Sequence, residues 1–346
     1  MANFQPLLAL AAAMLAALLS SVLTWAIRPL MLRHALAKPN ARSSHRIPTP
    51  QGAGIAVISA TVIVAGGLMA VTGAASVKLP AIVLASTLFL AAVGFADDLR
   101  SIPVLQRLLL QAMAVSAVVF TAPDESRLFY TFPLWIERSL VLLAGLWFVN
   151  LVNFMDGLDL MTAAEAVPIS AVIVLLGWLG EVPTSTTIVS AALCGAVLGF
   201  APFNRPVARI FLGDVGSLPI GLLLGWGLLQ LAWHQQFAAA LLLPMYYLTD
   251  ATVTLARRIF KREPFWTAHR SHFYQRATDN GFTVWRVVAE VFALNVLLAG
   301  LAIATTIIQS FVVVLLLVAT GLIAVLLTLH RFSRRRRDLS NPSGNV

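Results

Sequence analysis

Acidic and amide side chains stand out in this chain because nearly everything around them is apolar. Asp97 and Asp98 are adjacent, within Gly94-Phe95-Ala96-Asp97-Asp98-Leu99-Arg100. Neighbouring carboxylates repel, and at a helix C-terminus the helix dipole opposes them as well. A divalent cation, or protonation of one member, resolves both problems. A solvated loop with Arg100 as local counterion is the plainer alternative.

A second cluster, Asn150-Leu-Val-Asn153-Phe-Met-Asp156-Gly157-Leu-Asp159, repeats polar groups at intervals of three. On a helix each such step falls about 60° short of a full turn, so Asn150, Asn153 and Asp156 share a sector of roughly 120°. Asp159 drifts off it, and Gly157 is placed to end the helix and re-aim that carboxylate. An interhelical seam of hydrogen-bonded amides is the alternative.

The third cluster runs from Asn204-Arg205 through Arg209 to Gly213-Asp214-Val-Gly216-Ser217. Asp214 reads as an N-cap, or as one more carboxylate at the same membrane face; an oxygen-ligated cation with open positions for phosphate is what Mg²⁺ prefers. The fourth, Lys261-Arg262-Glu-Pro-Phe-Trp266-Thr-Ala-His269-Arg270-Ser271-His272-Phe-Tyr274-Gln-Arg276, mixes His, Arg and aromatics in a way that suits a polyphosphate ligand. Histidines at i and i+3 without a further ligand make a poor zinc site. Interfacial anchoring by Trp266, Tyr274 and the Arg residues is the competing reading.

The elements that must position these groups are membrane helices. Of the 346 residues, 59% are hydrophobic and 11% charged, against about a quarter charged in soluble domains. Stretches long enough to cross a hydrocarbon core as helix lie at 5–27, 52–73, 79–96, 104–122, 136–153, 163–180, 186–203, 215–233, 237–256, 286–307 and 309–330. The fold expected is an all-α polytopic bundle of about eleven transmembrane helices. The last two are separated by so few residues that a re-entrant hairpin is an alternative to two spans. With the N-terminus outside, every Lys and Arg except Lys78, Arg127 and Arg138 falls on the cytoplasmic side. The four clusters then converge there, on a cytoplasmic cleft. A carboxylate within a span costs about 2.5–3.5 kcal/mol, which argues that these acids have a use. Residues 1–333 read as one membrane domain and 334–346 as a short basic tail. The net charge of +9 suits anionic headgroups and calls for no nucleic acid. The lone Cys194 excludes an intramolecular disulfide.

In order along the chain come Lys38-Pro39-Asn40-Ala41-Arg42 with His45, Pro48-Thr49-Pro50-Gln51-Gly52-Ala53-Gly54, Asp97-Asp98, Asn150-x-x-Asn153-x-x-Asp156-Gly157-x-Asp159, Phe211-Leu212-Gly213-Asp214-x-Gly216-Ser217, and His269-Arg270-Ser271-His272. In these motifs the chain resembles the polyprenyl-phosphate N-acetylhexosamine-1-phosphate transferases. That group includes the phospho-MurNAc-pentapeptide translocase of peptidoglycan synthesis and the enzymes that initiate O-antigen and enterobacterial common antigen. The resemblance implies a multi-pass protein of the bacterial inner membrane that joins a UDP-N-acetylhexosamine to undecaprenyl phosphate with Mg²⁺, Mn²⁺ being the alternative ion. It makes Asp97, Asp98, Asp156 and Asp159 catalytic. Asp214 and Asp98 become metal ligands, and His45, Arg46, Asn150, Asn153, Asn204, His269, Arg270 and His272 become substrate-binding. A homodimer is compatible with such a bundle.

Three departures separate the chain from the peptidoglycan enzyme and bring it towards the O-antigen-initiating branch. Ser101 stands three positions after Asp98, where many relatives carry a charged residue; the histidine motif is not a run of three; and His45 or Arg46 stands in for a missing Lys. The competing class is a transporter or lipid flippase, which places its polar residues near the bilayer midplane on broken helices.

Overall fold

The computed structural model describes residues 4–37, 49–73, 78–263, 270–308 and 310–335. Among them the chain forms α1 (Phe4–His34), α2 (Gly54–Thr72), α3 (Lys78–Leu99), α4 (Val104–Thr121), α5 (Leu134–Met155), α6 (Met161–Trp178), α7 (Thr184–Phe200), α8 (Asp214–Trp233), α9 (Phe237–Leu242), α10 (Met245–Phe260), α11 (Phe273–Asp279), α12 (Val284–Ile307) and α13 (Phe311–Ser333). Ten of these helices are long and apolar enough to cross a membrane. The all-α polytopic bundle expected from hydropathy is therefore what the chain forms, and α12 and α13 are two full helices in place of a re-entrant hairpin.

The ninth expected span differs. The apolar stretch 237–256 breaks at Leu243-Pro244 into α9 and α10, neither of which qualifies as a spanning helix alone. Pro244 has no N–H to donate and its ring crowds the preceding turn, so the helix cannot run through it. The chain resumes at once as α10, an amphipathic helix that buries Tyr246, Tyr247, Asp250 and Thr254.

α8 is the axis of the bundle: 89% of its apolar window is buried, against 17% for α13 at the periphery. Glycines let other helices approach it closely. A Cβ on Gly216 would stand 2.7 Å from the Cα of Gly54 on α2, and one on Gly94 of α3 would stand 2.6 Å from the backbone N of Val215. With no hydrophobic force between helices in lipid, such small-residue contacts carry much of the association.

A short antiparallel pair, β1 (Leu36–Ala37) with β2 (Thr49–Pro50), follows α1. Beyond it the chain is stitched to the segment entering α8: Phe211 N donates to Pro50 O at 2.8 Å, Gly52 N to Phe211 O at 3.1 Å and Gly54 N to Leu212 O at 2.8 Å. At the far end of the bundle, Glu137 accepts from Arg127 at 2.8 Å and from Leu128 N at 2.7 Å, and Arg138 lies over the Trp233 ring.

Candidate active site

The alternation of helices brings the C-terminal ends of α3 and α5 and the N-terminal end of α8 to one end of the bundle. Gly213 makes the turn into α8 with φ of +78°, a conformation glycine adopts without strain. Asp214 is then the first residue of the helix. Its Oδ1 accepts from Asn153 Nδ2 at 2.7 Å, and the same amide donates to Ser217 Oγ at 2.9 Å. Asn153 is thus the strut that joins α5 to α8.

The paired aspartates of α3 part company. Asp97 accepts from Ile102 N at 2.6 Å and from Arg107 Nη1 at 2.8 Å; Arg107 Nη1 also lies 3.6 Å from Asp214 Oδ2. Asp98 turns to α8 and accepts from Asp214 N at 3.0 Å and Val215 N at 3.1 Å, with Gln51 Nε2 3.3 Å from its Oδ1. The structure therefore brings Asp97, Asp98, Asn153 and Asp214 together and adds Arg107 and Gln51. In the sequence Arg107 is one among the cytoplasmic-side charges, and Gln51 is only part of a motif.

Asp156 ends α5 and accepts a short hydrogen bond from the Thr162 hydroxyl. Burial first, then the nearby carboxylates of Asp214, Asp98 and Asp159, push Asp156 up to about 8 from 3.8. Asp159 is buried and accepts from Ala208 N at 3.0 Å. Asn204 is buried as well: its Oδ1 accepts from Leu160 N at 2.7 Å and its Nδ2 donates to Ile210 O at 3.0 Å. Together these two tie the 204–211 loop to the start of α6. Asn150 faces away from Asp214, donating to Gln111 Oε1 of α4 at 2.6 Å and to Leu146 O at 2.8 Å. Its contacts are those of an interhelical seam.

His45, Arg46 and His269 lie outside the described residues. The segment that follows His269 is docked beside α5, because the hydroxyl of Tyr274 on α11 donates to Phe154 O at 3.0 Å. Gly157 leaves room for it; a Cβ there would meet Gln275 Nε2 at 2.9 Å. His272 is buried, with its ring 6.5 Å from Phe154 and its Nδ1 3.3 Å from Asp250. Asp250 also accepts from Phe273 N at 3.0 Å and Tyr274 N at 3.2 Å, so it fixes the start of α11. Arg270 pairs with Asp279 at 3.2 Å and Thr278 at 2.9 Å.

Among the described residues, no group of three His, Cys, Asp or Glu side chains forms a closed metal cage. The donors at the site are all oxygen, with the carboxylates of Asp97 and Asp214 facing one another across the Arg107 guanidinium. This chemistry fits Mg²⁺, which binds through one or two carboxylates and completes its shell with water and phosphate.

Helices that alternate across a membrane and gather carboxylates, amides and an arginine at one end define a polytopic bundle with a polar site at the helix ends. Residues 80–232, from α3 to α8, match the family model described as Glycosyl transferase family 4. The matched region holds Asp97, Asp98, Asn153, Asp156, Asp159 and Asp214; the histidine motif lies beyond it. The chain is 34% identical over 231 residues to the decaprenyl-phosphate N-acetylglucosaminephosphotransferase of Mycolicibacterium smegmatis, which covers 61% of this chain and 57% of that relative. It is 29% identical over 293 residues to the protein of the same name from Mycobacterium leprae, covering 75% and 73% of the two chains. A phospho-N-acetylmuramoyl-pentapeptide-transferase of Limosilactobacillus fermentum is 27% identical over 172 residues, covering 49% and 53%. The first and last matches thus span little more than half of each relative.

Proposed function

We propose that the protein transfers N-acetylhexosamine-1-phosphate from a UDP-sugar to undecaprenyl phosphate, releasing UMP. The observation that carries this reading is the Asp97, Arg107, Asp214 and Asn153 constellation at the helix ends, inside the family-matched region. A phosphate oxygen of the lipid attacks the β-phosphorus of the UDP-sugar and forms a P–O bond. The bond from that phosphorus to the oxygen bridging the two phosphates breaks, and UMP leaves with the electron pair. Such a reaction asks the protein for position and charge neutralisation more than for covalent chemistry.

Asp214, with Asp97 in place of the Asp98 expected from the motif, would hold a Mg²⁺, which would neutralise charge on the diphosphate. Arg107, released from its two carboxylates, turns its fork to a phosphate, as guanidinium groups do. Asn153 holds Asp214 in line. Arg270 and His272 would hold the sugar or the diphosphate. The lipid phosphate lies at headgroup level, and its tail enters an apolar groove between α4, α5 and α8. Val115, Val119, Gly145, Val149 and Gly225 line this groove.

The protein then sits in the bacterial inner membrane with its site towards the cytoplasm, residues 1–333 as catalytic domain and 334–346 as basic tail. It initiates an O-antigen or related envelope glycan. The longer matches to N-acetylglucosaminephosphotransferases support an N-acetylglucosamine-type donor over the muramoyl-pentapeptide one. The test is UMP release by purified protein given undecaprenyl phosphate, Mg²⁺ and a panel of UDP-N-acetylhexosamines. Release that depends on lipid, cation and one sugar is expected. No release with any sugar from folded protein contradicts the reading.

A further inference from the structure

The two adjacent aspartates of α3 carry different contacts, and the difference assigns them different jobs. Asp97 Oδ1 accepts from Ile102 N at 2.6 Å, just past the end of its own helix, and its Oδ2 meets the guanidinium of Arg107, which is itself shared with Asp214. Both Asp98 oxygens face hydrogen-bond donors of the fold: Oδ1 accepts from Asp214 N at 3.0 Å and lies 3.3 Å from Gln51 Nε2, and Oδ2 accepts from Val215 N at 3.1 Å. Those two amides belong to the first turn of α8, where helical N–H groups have no partner within the helix and the dipole favours a negative charge. Gln51 Nε2 also reaches the Asp98 carbonyl oxygen at 3.3 Å, so its side chain grips Asp98 at two points. Space at this contact is kept by glycine: a Cβ on Gly213 would lie 2.5 Å from Asp98 Oδ2.

We infer that Asp98 is a positioning residue, a cap supplied from α3 that clamps the first turn of α8 with the help of Gln51 and so sets the place of Asp214, while Asp97 is the member of the pair that faces the reaction. This deepens the proposed reading, on which it rests for the identity of the reaction. The clamp itself is a matter of folding and can be tested without turnover.

The two roles have opposite signs in protein free of cation. A carboxylate gathered with others to hold a cation is repelled by its neighbours until the cation arrives, so removing its charge leaves stability unchanged or raises it. A carboxylate whose two oxygens accept from buried helix amides cannot be matched by an amide, whose –NH₂ cannot accept, so that replacement lowers the unfolding temperature in EDTA. The experiment is thermal unfolding of Asp98→Asn, Asp97→Asn and Gln51→Ala, first in EDTA and then with saturating Mg²⁺ and UDP. Asp98→Asn should unfold about 2–6 °C lower in EDTA, as loss of a helix cap does, and still be stabilised by Mg²⁺ with UDP. Gln51→Ala should shift the same way by less, and add little in the double variant. Asp97→Asn should lose the shift given by Mg²⁺ with UDP.

An Asp98→Asn protein that is unchanged or more stable in EDTA, or that loses the ligand-dependent shift, overturns the inference. If Asp98→Asn does not fold, Gln51→Ala decides: an unchanged unfolding temperature refutes the clamp. Wild-type protein with no shift from Mg²⁺ and UDP would count against the proposed function, while the EDTA comparison still decides the clamp.

Discussion

Gly94→Ala is a methyl group placed where the account is most sensitive. The added Cβ would stand 2.6 Å from Val215 N and closer still to the backbone carbonyl of Asp214, where ordinary contacts begin at 3.4 Å. Backbone lies on both sides, so no side chain can swing away. The first turn of α8 must move off α3 by about 1 Å, carrying Asp214 away from Asn153 and Arg107. A misplacement of about 1 Å in a catalytic group can cost on the order of 100-fold in rate, and overpacking of this kind costs about 1–3 kcal/mol of stability. The expected result is a fall in kcat of about 100-fold, with the protein still folded and a modest drop in unfolding temperature. The assay is UMP release at saturating lipid and UDP-sugar. Gly67→Ala is the control, because a Cβ there meets nothing within 4 Å. If Gly94→Ala keeps its kcat within about threefold while Gly67→Ala behaves as wild type, the α3–α8 contact does not set the catalytic geometry and the reasoning fails.

Arg107→Ala should lower kcat by about 100- to 1000-fold and should not be rescued by added Mg²⁺, since the guanidinium has phosphate to hold as well as carboxylates to pair; rescue by cation would reduce it to a counterion. Asp156, at about 8, is mostly protonated at pH 7, and a divalent cation nearby favours its charged form. Calorimetric binding of Mg²⁺ with UDP at pH 7 should therefore release protons, with the release fading as pH rises past 8 and reduced in Asp156→Asn; equal release from Asp156→Asn and wild type at pH 7 would refute that source. Glu165 on α6 accepts from Asn295 Nδ2 of α12 at 2.6 Å in the buried core. Glu165→Leu removes the acceptor and should destabilise by about 1–3 kcal/mol, whereas Glu165→Gln should be tolerated in thermal unfolding; indifference to both would show that the pair carries no stability.

Hydropathy and charge made the bundle legible, because a spanning helix needs little more than an apolar stretch of the right length. The break in the ninth span was written in the chain as Pro244, but counting apolar residues passes over a proline. Around the site, the interval of three placed Asn153 and Asp156 correctly on the end of α5, yet its steps of 60° were enough to turn Asn150 to a different neighbour. Asn153 meets α8 and Asn150 meets α4. Adjacency told nothing about Asp97 and Asp98, since successive helical residues point about 100° apart and each found its own partners. Arg107 was hidden for the opposite reason: it lies ten residues from Asp97 across a turn, and nothing local in the sequence marks it as reaching Asp214. Glu165 did carry a signal, a single acid in an apolar stretch, that hydropathy averaged away.

The central claim is that a sugar phosphate, and not a bare sugar, moves to the lipid. It is tested most directly by giving purified protein undecaprenyl phosphate, Mg²⁺ and a UDP-N-acetylhexosamine labelled at the β-phosphorus, then separating lipid from water-soluble products. The label should appear in the lipid fraction with UMP released in equal amount, and neither should occur with Asp214→Asn. Label left in soluble UDP, or lipid labelling that Asp214→Asn preserves, would contradict it.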